Sequence, residues 1–342
     1  MGLVSFSELN AAIRHAFLGA GMPPDAADAC ARVHAESTAD GVVSHGINRV
    51  VSFVEYIRAG HIHPRAAPRL VRQFGALEVW DGARGPGVLN ALAATERGME
   101  LAAEHGVALI GLRNTNHWMR GGTYGWHAAS QGFVLIAWTN TDSNMPPWGG
   151  VDARIGNNPF VMAAPRESGP VVLDMAMSQY SWGKLEVTRQ KNEVLPFPGG
   201  FDTSGNLTGD PAVIEESKRL LPMGMWKGSG FSVLLDVLAA VLSDGLPTNG
   251  IDGLEAGNCV GCSQVFILVD PRKVGGADAA HRIADGVVDY VRSSTPDEQG
   301  RPPEYPGEGT LRRRERSLRE GVQIDDAVWA AVRALGVPGD AR

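Results

Sequence analysis

Apolar residues recur at helical spacing along the first sixty residues of the chain. The run that follows Ser5 or Ser7, either of which can cap a helix, predicts a first helix with one apolar face. A second helix is predicted to begin at Pro24 and to end near Gly41, and INRVVSFVEYIRAG predicts a third that ends at Gly60. The N-terminal part of the chain is therefore predicted to be helical.

From residue 69 the pattern changes to short apolar runs that alternate with helical segments. Alternating apolar and polar residues in RLVRQF and ALEVWD predict a pair of strands. Further strands are predicted for GVALIGLRN, FVLIAWTN, PFVMAAPR, VVLDMA and SQVFILVD. Helices are predicted for ALAATERGMELAAEHG, TYGWHAASQG, GFSVLLDVLAAVLSDG and AAHRIADGVVDYVRSS. Strands that alternate with helices are typical of an α/β core, which is the predicted fold class.

These patterns divide the 342-residue chain into three predicted parts. Residues 1–75 are predicted to form a helical N-terminal domain, and residues 76–290 an α/β domain. Residues 291–342 begin with a stretch rich in Pro, Gly and Glu and become helical up to Leu335. We expect this C-terminal segment to return to the helical domain.

Composition and charge exclude several classes of partner. The net charge of −7 repels a phosphate backbone, so nucleic acid is not an expected partner. No apolar run approaches the roughly 20 residues that span a bilayer. The N-terminus also lacks a charged segment followed by an apolar stretch and a cleavage site. We therefore expect a cytoplasmic protein with no membrane partner.

Three cysteines are too few for a disulfide framework. Cys259 and Cys262 form a CxxC pair, but a structural zinc site needs four ligands, and neither a second CxxC nor an HxxxH pair lies nearby in the sequence. A thioredoxin-like pair would open a helix after a strand, whereas this pair precedes the strand SQVFILVD. We interpret both as incidental thiols and expect no metal site.

The sequence gives no clear fingerprint for a dinucleotide. The nearest match to G-x-G-x-x-G has Gly85 and Gly87 at the first two glycine positions and Asn90 at the third. The acidic residue expected about 20 residues further on would be Glu104, which lies inside a predicted helix and not at a strand end. This segment is interpreted as a turn at a helix N-terminus, so motifs alone do not predict nicotinamide binding.

Two glycine-rich segments are candidates for binding phosphate. Residues 226–230 (WKGSG) precede a long apolar helix, where a lysine, free backbone N–H groups and the positive end of the helix dipole would meet. Residues 305–309 (YPGEG) form a predicted turn that can close over a ligand. Each segment also fits an ordinary structural feature, a glycine-rich helix start in the first case and a plain turn in the second.

Polar side chains are concentrated where helices or strands are predicted to end. In SHGINR, His45 and Arg49 are four residues apart and project to one side if a helix begins at Gly46. A histidine can transfer a proton near neutral pH and an arginine can hold a carboxylate, which suits the reduction of a keto acid. A capped helix start with exposed side chains fits the same spacing. Two further polar segments, residues 114–122 (NTNHWMRGG) and 141–144 (TDSN), follow predicted strands, where α/β proteins bind ligands.

These segments resemble the type-2 malate/L-lactate dehydrogenase family, which is not homologous to the Rossmann-fold lactate and malate dehydrogenases. The resemblance is carried by SHGINR, NTNHWMRGG, VVLDMA, MGMWKGSG and the PGE turn, and it extends over nearly the whole chain. It implies a homodimer in which a family-specific, non-Rossmann NAD-binding α/β domain is inserted into a helical domain. Such a fold accounts for the missing fingerprint.

The resemblance also implies a set of site residues. His45 matches the catalytic proton donor, and Arg49 and His117 match positions that bind substrate and take part in catalysis. The substrate-binding residues implied are Ser44, Arg49, His117 and Arg120. The cofactor-binding residues implied are Pro170, Val171, Val172, Leu173, Asp174, Met175, Ala176, Trp226, Lys227, Gly307, Glu308 and Gly309.

The reaction implied is hydride transfer from NADH, with NADPH as an alternative, to the C2 keto group of a sugar-derived 2-keto acid. The same chemistry on malate, sulfolactate, ureidoglycolate or a cyclic imino acid is a first alternative, and a non-catalytic protein that binds a nucleotide or a sugar acid is a second. Two segments depart from the family pattern. Residues 141–144 are more polar, and the PGEG turn lacks a histidine between its glycine and its glutamate. We expect both to alter the pocket.

Overall fold

The computed structural model describes residues 2–257 and 259–336. Its α-helices are α1 (Phe6–Gly19), α2 (Pro24–Ala39), α3 (Val50–Arg58), α4 (Gly87–His105), α5 (Gly122–Ser130), α6 (Trp182–Gln190), α7 (Pro211–Ser217), α8 (Trp226–Ser243), α9 (Thr248–Asp252), α10 (Ala277–Arg292), α11 (Glu308–Glu320) and α12 (Asp326–Leu335). Its strands are β1 (Gly2–Val4), β2 (Arg69–Phe74), β3 (Leu77–Asp81), β4 (Val107–Thr115), β5 (Val134–Thr139), β6 (Phe160–Ala164), β7 (Val171–Met175), β8 (Gly200–Phe201), β9 (Leu207–Thr208), β10 (Cys262–Val269) and β11 (Val322–Ile324).

A helical layer is built from α1, α2, α3 and α12 around one apolar core. Ser5 caps α1 by accepting a hydrogen bond from the N–H of Glu8 at 3.2 Å, as its place before the apolar run predicts. Phe17 and Phe53 are buried in this core with their ring centroids 4.9 Å apart. Strand β1 pairs antiparallel with β11 and α12 packs on α1, so both ends of the described chain lie in this layer.

Seven strands form one mixed sheet in the order β2-β3-β4-β10-β5-β6-β7. Strands β3 and β4 run parallel, and the other neighbouring pairs of this sheet are antiparallel. In the central strand β10, Phe266 and Leu268 pack with α4 and α5, whereas Val265 and Ile267 pack with α8. Because both faces of this strand are covered by helices, its sequence is a nearly continuous apolar run.

Helix α8 lies very close to the sheet. A Cβ at Gly111 of β4 would come within 2.1 Å of the carbonyl oxygen of Leu242, so this crossing requires a glycine. By length and composition the 18-residue helix is long and apolar enough to cross a membrane, contrary to the expectation from run length. Its Leu235 is buried against the sheet, while Leu234 and Val241 remain 58% and 68% exposed. The helix is thus one layer of the fold with a second apolar face left uncovered.

The predicted helices and strands are present, with ends shifted by a few residues. Between β7 and α8 the structure adds α6, the β8–β9 hairpin and α7, which were not predicted. These elements are short, so their local apolar pattern is weak. Strand β2 pairs with β3 in the large sheet, so this hairpin extends across the boundary predicted between residues 75 and 76. The division into three parts stays a prediction.

Candidate active site

Two histidines that are distant in the sequence lie together in the structure. The ring centroids of His45 and His117 are 5.7 Å apart. His45 ends a short 3₁₀ segment between α2 and α3, whereas His117 lies in the loop after β4. The pair therefore lies where the helical layer meets the sheet, and each layer supplies one ring.

Hydrogen bonds determine how these rings can act. The N–H of Met119 donates to Nδ1 of His117 at 2.9 Å, so the neutral ring carries its proton on Nε2. This Nε2–H can donate to an oxygen atom of a ligand. Nδ1 of His45 lies 3.0 Å from Oγ of Ser44, which leaves Nε2 of His45 as the atom for proton transfer. Ser44 in turn packs on α6, since a Cβ at Gly183 would lie 2.4 Å from the Ser44 Cβ.

The surroundings of both rings disfavour a positive charge. Burial, followed by the charges of Arg49 and Arg120, lowers the pKa of His45 to about 4. Burial also lowers the pKa of His117 well below its usual value, with Arg49 and His45 acting in the same direction. Both rings are therefore neutral at pH 7 in the protein alone. A neutral His45 can accept a proton from a hydroxyl group, and it becomes a donor once its surroundings favour the imidazolium.

Arg49 lies beside these rings at the start of α3, and its Nε donates to the carbonyl oxygen of Ser44 at 3.3 Å. It lines a small, partly open cavity, in which about 350 Å³ is unoccupied by atoms when space open to solvent is counted. The lining residues are Arg49, Ser52, Phe53, Tyr56, Ile62, Asn116, His117, Met119 and Val260. One cation, a histidine donor and mostly apolar walls suit a small organic anion.

Arg120, whose role in substrate binding stays a prediction, lies in a buried ionic network. Its guanidinium donates to the carboxylate of Asp40, which is 2% exposed, and to the hydroxyl of Thr310 at 3.4 Å. Arg314 donates to both carboxylate oxygens of Asp40, each at 2.7 Å. Because its donors are used inside the protein, Arg120 affects the site through its charge, which contributes to the low pKa of His45.

The predicted cofactor segments are neighbours around β7. The N–H of Val172 donates to the carbonyl oxygen of Pro306 at 3.0 Å, which places the turn Gly307–Gly309 against this strand. Just beyond the strand, the carbonyl oxygen of Met177 accepts a hydrogen bond from the N–H of Met223 at 2.8 Å, close to the start of α8. The strand therefore connects all three segments.

Asp174 is the polar side chain at the centre of these segments. Its Oδ2 accepts the N–H of Gly122 at 2.8 Å and lies 3.7 Å from Nε of Arg120. Burial raises the pKa of this carboxyl. Gly307 has a φ of +97°, and a Cβ there would lie 3.0 Å from the ring of Trp126. The turn thus lies against Trp126 and against β7 through glycine backbone, where a side chain would be crowded.

The start of α8 differs from the anion site that the sequence predicts. The N–H groups of Lys227 and Gly228 donate to carbonyl oxygens of the preceding turn at 3.3 Å and 3.0 Å, so these two N–H groups are not free. Met225 before them has a φ of +61°, and Trp226 is 63% exposed. The exposed indole and the Lys227 ammonium are therefore the groups that can contact a nicotinamide cofactor here, by ring stacking and by charge.

Two other predicted features lie outside the cavity. Residues 141–144 do not line it, and Asp142 accepts the N–H of Cys259 at 3.0 Å. The thiols of Cys259 and Cys262 are free and buried. Within residues 2–257 and 259–336, no group of three or more His, Cys, Asp or Glu is placed to hold a metal ion.

Several residues of the site were missed by the sequence analysis. Phe53, Tyr56 and Val260 line the cavity, but apolar and aromatic residues carry no chemical signal in the sequence. Asn116 precedes His117 in the polar segment that was singled out. Its Nδ2 donates to the carbonyl oxygens of residues 84 and 85 at 2.8 Å and 2.9 Å, and so positions the loop that carries His117.

The chain is similar to known proteins over nearly its whole length. A family model described as malate/L-lactate dehydrogenase matches residues 4–333. A 2,3-diketo-L-gulonate reductase of Citrobacter koseri is 43% identical over 335 residues, which cover 97% of this chain and 99% of the relative. The segments NHWMRGGTYGW, MPPWGG, GGFDTSGNLT and LPMGMWKGSG predict a resemblance to this branch, which the relative confirms.

Two solved structures are similar over nearly the whole chain. The sulfolactate dehydrogenase of Methanocaldococcus jannaschii has a TM-score of 0.86 at 26% identity, with 98% of this chain and 96% of that chain covered. The delta1-piperideine-2-carboxylate reductase of Pseudomonas syringae has a TM-score of 0.87 at 26% identity, with coverages of 98% and 100%. Together these findings confirm the predicted family and the α/β fold class.

Proposed function

Because the chain belongs to the malate/L-lactate dehydrogenase family, whose members use a nicotinamide cofactor, we propose that it reduces the 2-keto group of a sugar-derived keto acid. The proposed substrate is 2,3-diketo-L-gulonate and the product 3-dehydro-L-gulonate. A relative named for this reduction is 43% identical over nearly the full length, whereas the sulfolactate and piperideine-carboxylate enzymes are 26% identical. The same chemistry on another 2-keto acid or cyclic imino acid is the alternative.

The observation that carries the proposal is the pair His45 and His117 beside a cavity that contains one arginine. Arg49 binds the substrate carboxylate, because its guanidinium is the cation on the cavity wall. The Nε2–H of His117 donates to the keto oxygen or to a neighbouring hydroxyl. His45 supplies the proton to the alkoxide that forms, while the cofactor supplies the hydride when it is bound.

Substrate binding itself prepares His45 for this role. The positive charge of Arg49 contributes to the low pKa of both histidines. A bound carboxylate neutralises that charge and so raises the pKa of His45, while burial, the larger cause of the low pKa, stays in place. The anionic substrate therefore favours protonation of the ring that must later donate the proton. A non-catalytic binding protein transfers no proton, so it would not need a histidine pair at this place.

The cofactor is proposed to lie along Pro170–Ala176, Trp226–Lys227 and Gly307–Gly309. Exposed Trp226 and Lys227 at one end and the glycine turn at the other support this placement. NADH is the proposed form, with NADPH as the alternative. Asp174 and Glu308 are acidic, and Arg292 beside the turn is already paired with Glu308, so a 2′-phosphate has no free arginine in this turn.

Absorbance at 340 nm tests the function directly. Purified protein is mixed with NADH or NADPH and with 2,3-diketo-L-gulonate, pyruvate, oxaloacetate, sulfopyruvate and piperideine-2-carboxylate in turn. We expect the highest kcat/KM for the six-carbon sugar acid with NADH. A higher value for another acid would reassign the substrate. Binding of NADH without oxidation in any mixture would favour a non-catalytic binding protein and contradict the proposal.

We also propose that the protein is a homodimer whose partner covers the outer face of α8. Exposed Leu234, Val237, Leu238 and Val241 recur at helical spacing on this face, and so large an apolar patch marks an interaction surface. Light scattering at micromolar concentration should give twice the chain mass, and Leu234→Glu should give a monomer. The matched control is Leu318→Glu on α11, which is 56% exposed, is the one exposed large apolar residue of its helix, and should leave the dimer intact. The free thiols are consistent with a cytoplasmic location, which is likewise proposed.

A further inference from the structure

One wall of the cavity comes from a segment with unusual backbone geometry. Val260 is 2% exposed and lines the cavity together with Arg49 and His117. The residues on either side of it, Cys259 and Gly261, have φ angles of +59° and +82°. Glycine adopts such angles freely, but a cysteine does so only where its surroundings enforce them. The position of Val260 therefore depends on contacts that hold Cys259.

The carboxylate of Asp142 makes two such contacts. Its Oδ1 accepts the backbone N–H of Cys259 at 3.0 Å and the thiol of Cys259 at 3.4 Å. From the other side, the thiol of Cys262 donates to the carbonyl oxygen of Cys259 at 2.8 Å. Both backbone polar groups of Cys259 and its side chain are thus held by the TDSN segment and by the CxxC partner.

The thiol of Cys259 remains a donor under ordinary conditions. Contact with the Cys262 thiol and burial hold the pKa of Cys259 well above that of a free thiol. The group is therefore protonated at neutral pH and can donate to Asp142. A protonated, buried thiol is also unreactive, which separates this pair from a redox-active CxxC.

The segment that carries Asp142 is itself fixed to the sheet and to α9. The hydroxyl of Thr248 donates to the carbonyl oxygen of Thr141 at 2.9 Å, and the N–H of Ser143 donates to Asp252 at 2.9 Å. The N–H of Gly261 donates to the carbonyl oxygen of Thr115 at 2.7 Å, at the end of the strand that leads to His117. Val260 is thus tied to the strand end that leads to His117.

We propose that Asp142 and Cys259 are positioning residues for substrate selection, because they hold Val260 as a wall of the cavity beside Arg49 and His117. This inference rests on the proposed reduction of a keto acid. It gives a role to the polar segment 141–144 and to the CxxC pair, neither of which contacts the cavity directly. The wall sets which carbon chain fits beside the bound carboxylate.

Steady-state kinetics of variants test the proposal. Asp142→Ala should raise the KM for the six-carbon keto acid about tenfold, since it removes a hydrogen-bonded charge. The KM for NADH should change less than twofold, and the preference for the six-carbon acid over pyruvate should shrink. Cys259→Ala should shift both quantities in the same direction by less, and Cys259→Ser, which keeps a donor for Asp142, should restore them.

A double-mutant cycle with Val260→Ala separates positioning from general damage. If Asp142 acts through Val260, the selectivity changes of Asp142→Ala and Val260→Ala should be clearly less than multiplicative in the double variant. The control is Cys30→Ala, which removes a fully buried thiol from the helical core. It should lower thermal stability and leave the keto-acid preference unchanged.

The outcomes distinguish this inference from the proposed function. The positioning role alone is overturned in two cases, both with an active wild type. In the first, Asp142→Ala and Cys259→Ala leave the selectivity unchanged; in the second, the effects in the double-mutant cycle are multiplicative. Wild type that reduces no keto acid overturns the proposed function first. If Asp142→Ala does not fold, Asp142→Asn and the Cys259 pair give the same comparison, because Asn and Ser nearly keep the volumes of Asp and Cys and Cys259→Ala removes only a sulfur atom.

Discussion

The two sides of the candidate active site differ in how many of their polar groups already have hydrogen-bond or ionic partners within the protein. On the proposed proton-transfer side, His45 and His117 are half-buried, their Nδ1 atoms are engaged by neighbouring groups, and the buried Asp40 binds two arginines. On the cofactor side, Trp226 is 63% exposed and the Lys227 ammonium lies in solvent. The first side is fixed before a ligand arrives, whereas the second presents side chains that a ligand must cover.

This contrast has a physical reason. Proton transfer needs a defined geometry and a tuned pKa, and both depend on burial and on nearby charges. A large cofactor instead needs an open surface, because it must bind and leave in each cycle. The comparison predicts that substitutions on the proton-transfer side change kcat or stability, and that substitutions on the cofactor side change affinity.

The largest effect is expected for His45→Ala. General acid catalysis contributes about 10²–10⁴-fold, so kcat should fall within this range. NADH affinity, measured by the fluorescence change on binding, should stay within twofold because His45 lies outside the cofactor segments. His105→Ala, at an exposed histidine at the end of α4, is the control and should leave kcat unchanged. A loss below tenfold would remove His45 from the proton-transfer role.

The next largest effect is expected for Asp40→Asn. The substitution leaves Arg120 and Arg314 without their buried carboxylate, and breaking a buried pair costs about 3–5 kcal/mol in the free energy of unfolding. Urea denaturation measures this loss. Glu100→Gln breaks the pair of Glu100 with Arg97, in which the glutamate is 66% exposed, and should cost less than about 1 kcal/mol. Equal losses of unfolding free energy in the two variants would contradict a stabilising role for the buried network of Asp40, Arg120 and Arg314.

A third effect concerns the dependence of stability on pH. Burial lowers the pKa of His34 in the helical core to about 4 from its usual 6.5. The unfolded chain therefore binds more protons between pH 6.5 and pH 4, and the free energy of unfolding falls as the pH falls through this window. The loss from His34 is about 3 kcal/mol. His34 packs between Phe17 and Phe53, so His34→Phe should fit there and reduce this loss of stability at low pH. If the variant and the wild type lose the same stability between pH 6.5 and pH 4, His34 does not titrate in this window.

The smallest effect is expected for Lys227→Met on the cofactor side. A charge-assisted contact to the cofactor is worth at least about 1.5 kcal/mol, so the KM for NADH should rise about tenfold while the KM for the keto acid stays unchanged. Added salt should weaken NADH binding more in the wild type than in the variant. Lys273→Met, at an exposed lysine after β10, is the control. A lower kcat with unchanged NADH affinity would instead indicate that Lys227 takes part in the reaction step and not in cofactor binding.

Sequence patterns predict the long elements of this fold because the burial of such an element requires a regular spacing or a run of apolar residues. The spacing in α1 and the apolar run of β10 are examples. The two-residue strands β8 and β9 were not predicted, because their pairing depends on the fold around them. Strands β1 and β11 were missed for the same reason, since their partners are at opposite ends of the chain.

The candidate site was predicted in part, through residue types whose side chains have a characteristic chemistry. His45, Arg49 and His117 could be named from their motifs, but only the structure brings the two rings to 5.7 Å. Arg120 was assigned to the substrate by the resemblance alone, and that assignment stays a prediction. Its partner within the protein, Asp40, follows a helix in another layer and carries no motif. Pairing over such distances leaves no local trace in the sequence.

The pairing of β1 with β11 has a consequence for how the protein is made. Residues 2–4 are translated long before their partners at residues 322–324. Contacts this distant in sequence form late, because the intervening chain must first be ordered. The layer that carries His45 is therefore completed only after residue 324 has been translated. The strands of the large sheet lie between residues 69 and 269, so the sheet can form before that layer is complete.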